Sequence, residues 1–244
     1  MGGGFLPDGQ TLAIGSGDKL VKLWSVSEHT ELATLTGHGN PVHSISFSPN
    51  GEILATCSSD TTVKLWSVSE HTELATLTGH TGWVTSVSFS PDGQLLATCG
   101  DDNTVRLWSI ADRVELAILK GHQDRVWSVV FSPDGKLLAS GSGDKTAKLW
   151  SVEHQVELRT LKGHRDEVNS VSFSLDGNML ATGSNDKSTR LWSIRSGHCI
   201  TVLDDRLCAG LDITDAIGLT DAQHTTLQLL GAVDHNQPSE SNTV

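Results

Sequence analysis

Short apolar segments alternate with polar residues along most of the chain, and turn residues separate them. Residues 84–119 show this pattern in one stretch, as four strand-like segments with alternating side chains. Between the first two segments, Pro91 presets φ for a turn and Gly93 accepts a positive φ. The segments are residues 84–89, 95–99, 104–110 and 114–119. The pattern predicts four short β-strands within one unit.

This four-strand unit recurs every 42 residues. Five of the seven tryptophans, all five phenylalanines and five aspartates fall on that step, and a Gly-His pair recurs four times on it. Four residue types with a common period indicate a tandem repeat. The recurring residues are Trp24, Trp66, Trp108, Trp150, Trp192, Phe5, Phe47, Phe89, Phe131, Phe173, Asp18, Asp60, Asp102, Asp144, Asp186, His38, His80, His122 and His164. A unit of about 40–45 residues with Gly-His and Trp is typical of a propeller blade.

At these positions the chain resembles the WD-repeat (β-transducin-like) propeller family, from residue 5 to about residue 203. In all five units the tryptophan is followed by serine rather than by the family's aspartate. The resemblance implies an all-β fold, a β-propeller of about five four-stranded antiparallel blades over residues 1–203. We expect the first blade to be incomplete, because the glycine-rich segment from Met1 to Phe5 supplies a stub of its first strand at most.

The family places a hydrogen-bonded set in each blade, with a histidine before the first strand, a serine or threonine on the second, an aspartate in the next turn and a tryptophan on the third. Carried over, the sets are His38, Thr56, Asp60 and Trp66; His80, Thr98, Asp102 and Trp108; His122, Ser140, Asp144 and Trp150; and His164, Thr182, Asp186 and Trp192. A buried imidazole needs partners for both nitrogens, and a carboxylate accepts an N–H. The first unit has Ile14 where the hydroxyl belongs, so we expect blade one to be the weakest.

Histidine, aspartate and serine or threonine together also resemble a hydrolase triad. A triad occupies one site with one geometry, whereas these sets recur on the repeat period, and the chain has no Gly-x-Ser-x-Gly sequence. We therefore interpret the sets as structural. The sequence predicts no catalytic residue, no metal ligand and no cofactor.

The repeats differ most in the segment that follows each Gly-His pair. In the family this segment enters the first strand at the top face of the propeller, near the central channel. Trp83 and Trp127 are the only tryptophans off the repeat position, and Trp and Arg are typical interface anchors. Packing on neighbouring loops is the alternative for both. The predicted partner-binding residues are Pro41, His43, Trp83, Thr85, Arg125, Trp127, Glu167 and Asn169, with Ser59, Asp101 and Asn185 on the same face.

The net charge, the hydropathy pattern and the cysteines indicate which classes of partner and which cellular compartment to expect. The net charge of −12, from 17 Lys and Arg against 29 Asp and Glu, argues against nucleic acid, which needs clustered cations. The chain has no apolar run of about 18 residues and no signal-peptide pattern at its start, so we expect a cytoplasmic protein without a membrane partner. Cys57 and Cys99 occupy equivalent places in neighbouring units. Sheets pack about 10 Å apart, which exceeds the Cα separation of about 7 Å that a disulfide allows. We therefore expect both cysteines to be free, half-buried thiols.

Residues 204–244 break the repeat and carry seven Asp and Glu against Arg206 alone. A capping box at residues 220–223 predicts a short helix at 221–230, and residues 234–244 are expected to be disordered. The segment 210–233 resembles the tail that closes many bacterial repeat proteins, which implies a bacterial origin. Residues 211–214 can supply the missing strand of blade one and close the ring. Otherwise an open edge favours a homo-oligomer, or the chain is a truncated piece of a longer protein.

Three functions follow from this reading. The first is a non-catalytic scaffold for protein-protein interaction, which presents the top face of the propeller to a protein or peptide. The second is a sensor or regulatory module of a larger bacterial signalling protein, or a fragment of one, with an NTPase, kinase or caspase-like effector on another chain or upstream. The third is an enzyme that uses one His, Asp and Ser or Thr set. No set differs from its repeats, so the sequence favours the scaffold.

Overall fold

Twenty β-strands form five four-stranded antiparallel sheets in the computed structural model, which describes residues 2–203. The strands of each sheet lie in chain order, and the described residues contain no helix. The first two sheets are β1 (Gly3–Phe5), β2 (Thr11–Gly15), β3 (Val21–Ser25) and β4 (Glu31–Leu35), then β5 (Val42–Phe47), β6 (Ile53–Ser58), β7 (Val63–Ser67) and β8 (Glu73–Leu77). The next two are β9 (Val84–Phe89), β10 (Leu95–Gly100), β11 (Thr104–Ser109) and β12 (Val114–Lys120), then β13 (Val126–Phe131), β14 (Leu137–Ser142), β15 (Thr146–Ser151) and β16 (Val156–Lys162). The fifth is β17 (Val168–Phe173), β18 (Met179–Ser184), β19 (Thr189–Ser193) and β20 (Cys199–Leu203). The predicted all-β fold of five four-stranded blades is confirmed.

The turn between the first and second strands has the same construction in the second to fifth repeats, whereas Leu6 takes the serine position in the first. In the third sheet, the Gly93 N–H donates to the Ser90 carbonyl at 2.9 Å, and the Leu95 N–H donates to the Ser90 hydroxyl at 2.9 Å. Gly93 has a φ of +71°, which costs glycine little because it has no Cβ. The Pro-Asp-Gly sequence therefore reverses the chain tightly enough to pair the two strands.

Each repeat tryptophan lies on the third strand at an irregularity of the sheet. The register between the third and fourth strands shifts immediately before Trp24, Trp66, Trp108, Trp150 and Trp192. A bulge of this kind re-aims the side chain that follows it. Across the other edge of its strand, Trp108 pairs with Leu96 in regular register. The repeat thus places one indole in the same position of every sheet.

Four buried hydrophobic clusters hold the sheets together, and each cluster joins two successive sheets. Between the second and third sheets, Val63 and Leu65 pack with Leu96 and Trp108. Within residues 2–203, the second, third and fourth sheets are therefore covered on both faces, whereas the first and fifth are covered on one. Within residues 2–203, no buried cluster joins the fifth sheet to the first.

The structure confirms one local expectation and shows that part of another is wrong. The strands predicted within residues 84–119 agree with β9 to β12 to within one residue at each end. Cys57 and Cys99 are free, but both are fully buried rather than half-buried. They lie on second strands, on the face that the next sheet covers. This burial raises the pKa of the Cys99 thiol to about 12.

The first sheet has all four strands, although β1 is only three residues long and pairs with β2 from Gly3 to Phe5. Residues 211–214 were predicted to supply the first strand of this sheet, but β1 at the start of the chain occupies that place. The closing strand at 211–214, the helix at 221–230 and the disorder at 234–244 all lie outside the described residues. The division at residue 203 stays a prediction.

Candidate interaction surface

A chain of hydrogen bonds runs through the third sheet from its tryptophan to its turn aspartate. The Trp108 indole N–H donates to the Thr98 hydroxyl oxygen at 2.9 Å, and the Thr98 hydroxyl lies 2.7 Å from His80 Nε2. His80 Nδ1 lies 2.8 Å from Asp102 Oδ2. One arrangement of protons satisfies every atom, in which the hydroxyl donates to Nε2 and Nδ1–H donates to the carboxylate. Both ring nitrogens of His80 therefore have a partner within the set.

The second, fourth and fifth sheets repeat these contacts with distances of 2.7–2.9 Å. Each aspartate also accepts the backbone N–H of the residue after the histidine. These N–H donors are Gly39, Thr81, Gln123 and Arg165. The sets therefore fix the start of the very segment in which the repeats differ.

The first sheet departs from this construction, as the sequence indicates. Ile14 takes the hydroxyl position and is 40% exposed. The Asp18 carboxylate accepts one backbone N–H, from Leu20 at 3.1 Å. The Trp24 indole is only partly buried, whereas the four equivalent indoles are 1–3% exposed. The first blade thus lacks the internal bonding of the other four.

Burial and hydrogen bonding shift the titration of the set in the second sheet. Burial lowers the pKa of His38 below its ordinary value of 6.5, and the hydrogen bond to Asp60 only partly opposes this. Burial acts to raise the pKa of Asp60, but hydrogen bonds from Thr62, His38 and the Gly39 N–H outweigh it and hold the pKa below 3.8. The pKa values of Asp102, Asp144 and Asp186 are lowered for the same reasons.

We expect acid to destabilise the protein in two steps. The lowered pKa of His38 means that the folded state prefers the neutral imidazole, so its contribution is complete above pH 6.5 and is lost as the pH falls through the folded pKa. The aspartates contribute above their unfolded pKa of 3.8, and that stability is lost as the pH falls further through their lowered values. Urea unfolding followed by tryptophan fluorescence near pH 7, 5 and 3 measures both steps.

The Asp60→Asn variant is the control for the second step. Asparagine keeps the shape of the side chain but does not titrate, so its unfolding free energy is lower near neutral pH and falls less in acid. An unchanged acid dependence in this variant would show that the sets do not control acid stability.

The varied segments all lie at one end of the sheets, which we call the top face. The first strands begin there and the second strands end there, as the pairs Val42 with Ser58, Val84 with Gly100 and Val168 with Ser184 show. Each turn aspartate follows directly after that end. The repeat therefore brings the predicted partner-binding residues of different sheets to a common surface.

On one side of the top face, His43 of the second sheet stacks on Trp83 of the third. The ring centroids are 5.9 Å apart and the planes differ by 27°. His43 Nε2 also lies 2.5 Å from the Ser59 hydroxyl, and burial lowers the pKa of His43. Trp83 remains 52% exposed. The pair therefore presents a large aromatic surface that its neighbours hold in one orientation.

On the other side, Trp127 of the fourth sheet donates its indole N–H to Glu167 of the fifth at 2.9 Å. The Arg125 guanidinium lies 5.2 Å from the Trp127 ring centroid, within the range of a cation–π interaction. Asn169 Nδ2 donates to Asn185 Oδ1 at 2.5 Å. A cavity of about 330 Å³ is lined by Trp127, Glu167, Asn169 and Asn185.

The remaining predicted residues have bonds within the protein. Thr85 donates its hydroxyl to the Val126 carbonyl and so links the third sheet to the fourth. The Pro41 carbonyl accepts the Ser59 N–H at 3.0 Å. Asp101 donates its N–H to the Trp83 carbonyl at 2.8 Å, but its buried Oδ1 has no hydrogen-bond donor within residues 2–203. The Asp101 N–H therefore ties the turn after the second strand of the third sheet to the residue before its first strand.

One repeated feature escaped the sequence analysis. Cross-strand ion pairs join the third and fourth strands in four sheets, and in the second sheet Lys64 Nζ lies 2.8 Å from Glu73. The others are Lys22 with Glu31, Arg106 with Glu115 and Lys148 with Glu157. The basic and acidic residues of these pairs recur every 42 residues, so the sequence could have predicted them. In the fifth sheet Cys199 replaces the glutamate opposite Arg190.

Comparison with known families agrees with this geometry. The model of the WD domain, G-beta repeat, matches residues 4–25, 29–67, 71–109, 113–151 and 155–193, which is most of the chain. The chain belongs to the WD-repeat family. The matched units of this WD-repeat protein are offset from its sheets by one strand, because each unit from the second on begins with the fourth strand of one sheet and ends with the third strand of the next.

No curated protein matches this WD-repeat chain. The described residues contain no helix of a length and apolarity that could cross a bilayer.

Proposed function

We propose that this WD-repeat chain is a non-catalytic scaffold that binds a protein or peptide on its top face. WD-repeat propellers typically mediate protein-protein interaction. The hydrogen-bonded sets support the proposal because each hydroxyl is fully buried and accepts an indole N–H, so a substrate has no access to it. The observation that carries it is the exposed Trp83 at a position where the repeats differ.

Fixed side chains favour binding at this face. Trp83 is held by the His43 stack, and Trp127 is held by its bond to Glu167 and by Arg125. Binding costs less side-chain entropy when the anchors are already ordered. Trp and Arg also contribute more binding energy at interfaces than most residues do.

The proposed partner is a protein or peptide rather than nucleic acid or a membrane. The net charge of −12 opposes binding to phosphate backbones and to anionic lipid surfaces. The top face also carries the carboxylates of Asp124 and Glu167. A segment with hydrogen-bond donors complements this surface. A cytoplasmic location and a signalling role belong to the same proposal.

Removing the three anchors is expected to weaken peptide binding at least about tenfold. A phage-displayed library of random peptides is panned on the immobilised full chain, and the enriched peptides are titrated against the wild type. The same peptides are titrated against the combined Trp83→Ala, Arg125→Ala and Trp127→Ala variant. Fluorescence anisotropy gives the dissociation constants.

A control variant distinguishes loss of the binding site from the general effect of removing an exposed hydrophobic side chain. Leu116 lies on the outer strand β12 and is 45% exposed, so Leu116→Ala removes a comparable exposed apolar group far from the top face. Its peptide affinity is expected to equal that of the wild type. Peptides that bind the triple variant as tightly as the wild type would refute the assignment of the site.

A further inference from the structure

The four internal interfaces between sheets use the same repeat positions on the side of the earlier sheet. In the third sheet these positions are Ala97, Val105, Leu107 and Leu119, which are 0–2% exposed. The first, second and fourth sheets bury their equivalents to 0–3% exposure. Those equivalents are Ala13, Val21, Leu23, Leu35, Ala55, Val63, Leu65, Leu77, Ala139, Ala147, Leu149 and Leu161. One face of every sheet is thus built to be covered by the next.

The fifth sheet has this face but nothing in the described chain covers it fully. Ala181, Thr189, Leu191 and Leu203 occupy the same four positions, and all four are only partly buried. A Cβ built on Gly183 meets only the Ser170 side chain of its own sheet, whereas one on Gly141 meets Val168 and Val171 of the next sheet. We call this the trailing face.

The first sheet has the opposite face, which in the later sheets receives the preceding blade. Leu54, Leu96, Leu138 and Leu180 are each fully buried there against the sheet before. Their equivalent in the first sheet, Leu12, is partly exposed, and so is Trp24. Phe5 is 61% exposed and Val26 is 38% exposed on the same face. We call this the leading face.

We propose that the trailing face of one copy of this chain packs on the leading face of a second copy. The trailing face keeps Ala181, Leu191 and Leu203, and the leading face keeps Phe5, Leu12 and Trp24, at positions that form the four interfaces inside the chain. Gly3 and Thr189 replace apolar residues of those interfaces, so the contact continues the internal interaction with a smaller apolar area. A sheet with one face in water leaves apolar area exposed, and its removal favours association. The contact is head-to-tail, so each copy added leaves one face free until a ring closes.

Two variants that each destroy one face test the proposal with full-length chains. Leu12→Asp places a charge on the leading face, and Leu191→Asp places one on the trailing face. Light scattering after size exclusion is expected to show that the wild type gains mass with concentration and that each variant alone stays monomeric. An equimolar mixture is expected to form a one-to-one dimer and nothing larger, because only one intact pair of faces remains.

Two controls keep the result interpretable. Leu116→Asp, on the outer strand β12, is expected to associate like the wild type. Where an aspartate at Leu12 or Leu191 lowers the melting temperature, Val26→Glu and Thr189→Glu repeat the test at positions with solvent access.

A wild type that is monomeric at every concentration would overturn the proposal. It would indicate that residues 204–244 of the same chain cover the faces, or that the faces stay bare. An assembly that survives both single variants, or a mixture that stays monomeric, would overturn it as well, because the contact would then lie elsewhere.

Discussion

Replacing Asp102 with alanine is expected to lower the free energy of unfolding by about 3 kcal/mol. The carboxylate accepts hydrogen bonds from His80 Nδ1, the Thr81 N–H and the Thr104 hydroxyl, at 2.8, 3.1 and 2.7 Å. It also lies 3.4 Å from the Arg106 guanidinium. Its removal leaves a 1% exposed imidazole side chain without a partner for Nδ1, which is costly in a site that water does not reach. Urea unfolding near pH 7 measures the loss.

The chain supplies its own control in the first blade. Asp18 occupies the same repeat position, but it is exposed and accepts one backbone N–H at 3.1 Å. Asp18→Ala is therefore expected to cost less than about 1 kcal/mol. Equal losses for the two variants would mean that the aspartate acts only by capping its turn and that the histidine contributes nothing to stability.

Recurrence made most of the fold readable from the sequence. Strand order, turn positions and the His-Asp contacts all follow from one 42-residue unit, because each blade solves the same packing problem with the same residues. The departure at Ile14 was equally readable, since a missing hydroxyl stands out against four copies. The positions that repeat therefore predict the strands, the turns and the contacts inside each blade.

The pairings at the top face could not be read in this way. His43 meets Trp83, and Trp127 meets Glu167, across two different sheets at positions 40 residues apart. Both contacts use the same two repeat positions, two periods apart, but with different residue types, so the sequence does not show that these positions meet, and their geometry depends on how neighbouring blades pack. The sequence indicated which residues reach this face but not which of them contact each other.

The partial burial of the two end sheets could not be predicted from the sequence, for a related reason. Leu191 has the same residue type and local pattern as Leu65 and Leu107, yet only the latter two are fully buried. Burial at this position depends on whether another sheet packs against it, and the sequence of one 42-residue unit does not determine that. The same limit explains why free Cys57 and Cys99 were expected to be half-buried and are fully buried instead.

Hydrogen exchange is expected to differ strongly between inner and end blades. The second strand of the third sheet, β10 (Leu95–Gly100), lies in a sheet packed on both faces, whereas the described residues cover the sheet of β18 (Met179–Ser184) on one face only. Full burial of one leucine contributes about 1.5–3 kcal/mol, and the trailing face holds two leucines that are only partly buried. Opening the end sheet should therefore cost several kcal/mol less, which corresponds to at least about 100-fold faster exchange.

The measurement is amide exchange of the full-length chain by mass spectrometry, in solution dilute enough to keep copies apart. Serial packing of the five sheets predicts slow exchange in β10 and fast exchange in both β2 (Thr11–Gly15) and β18. Equal protection of all three strands in dilute solution would contradict it, because the end faces would then be covered within a single chain.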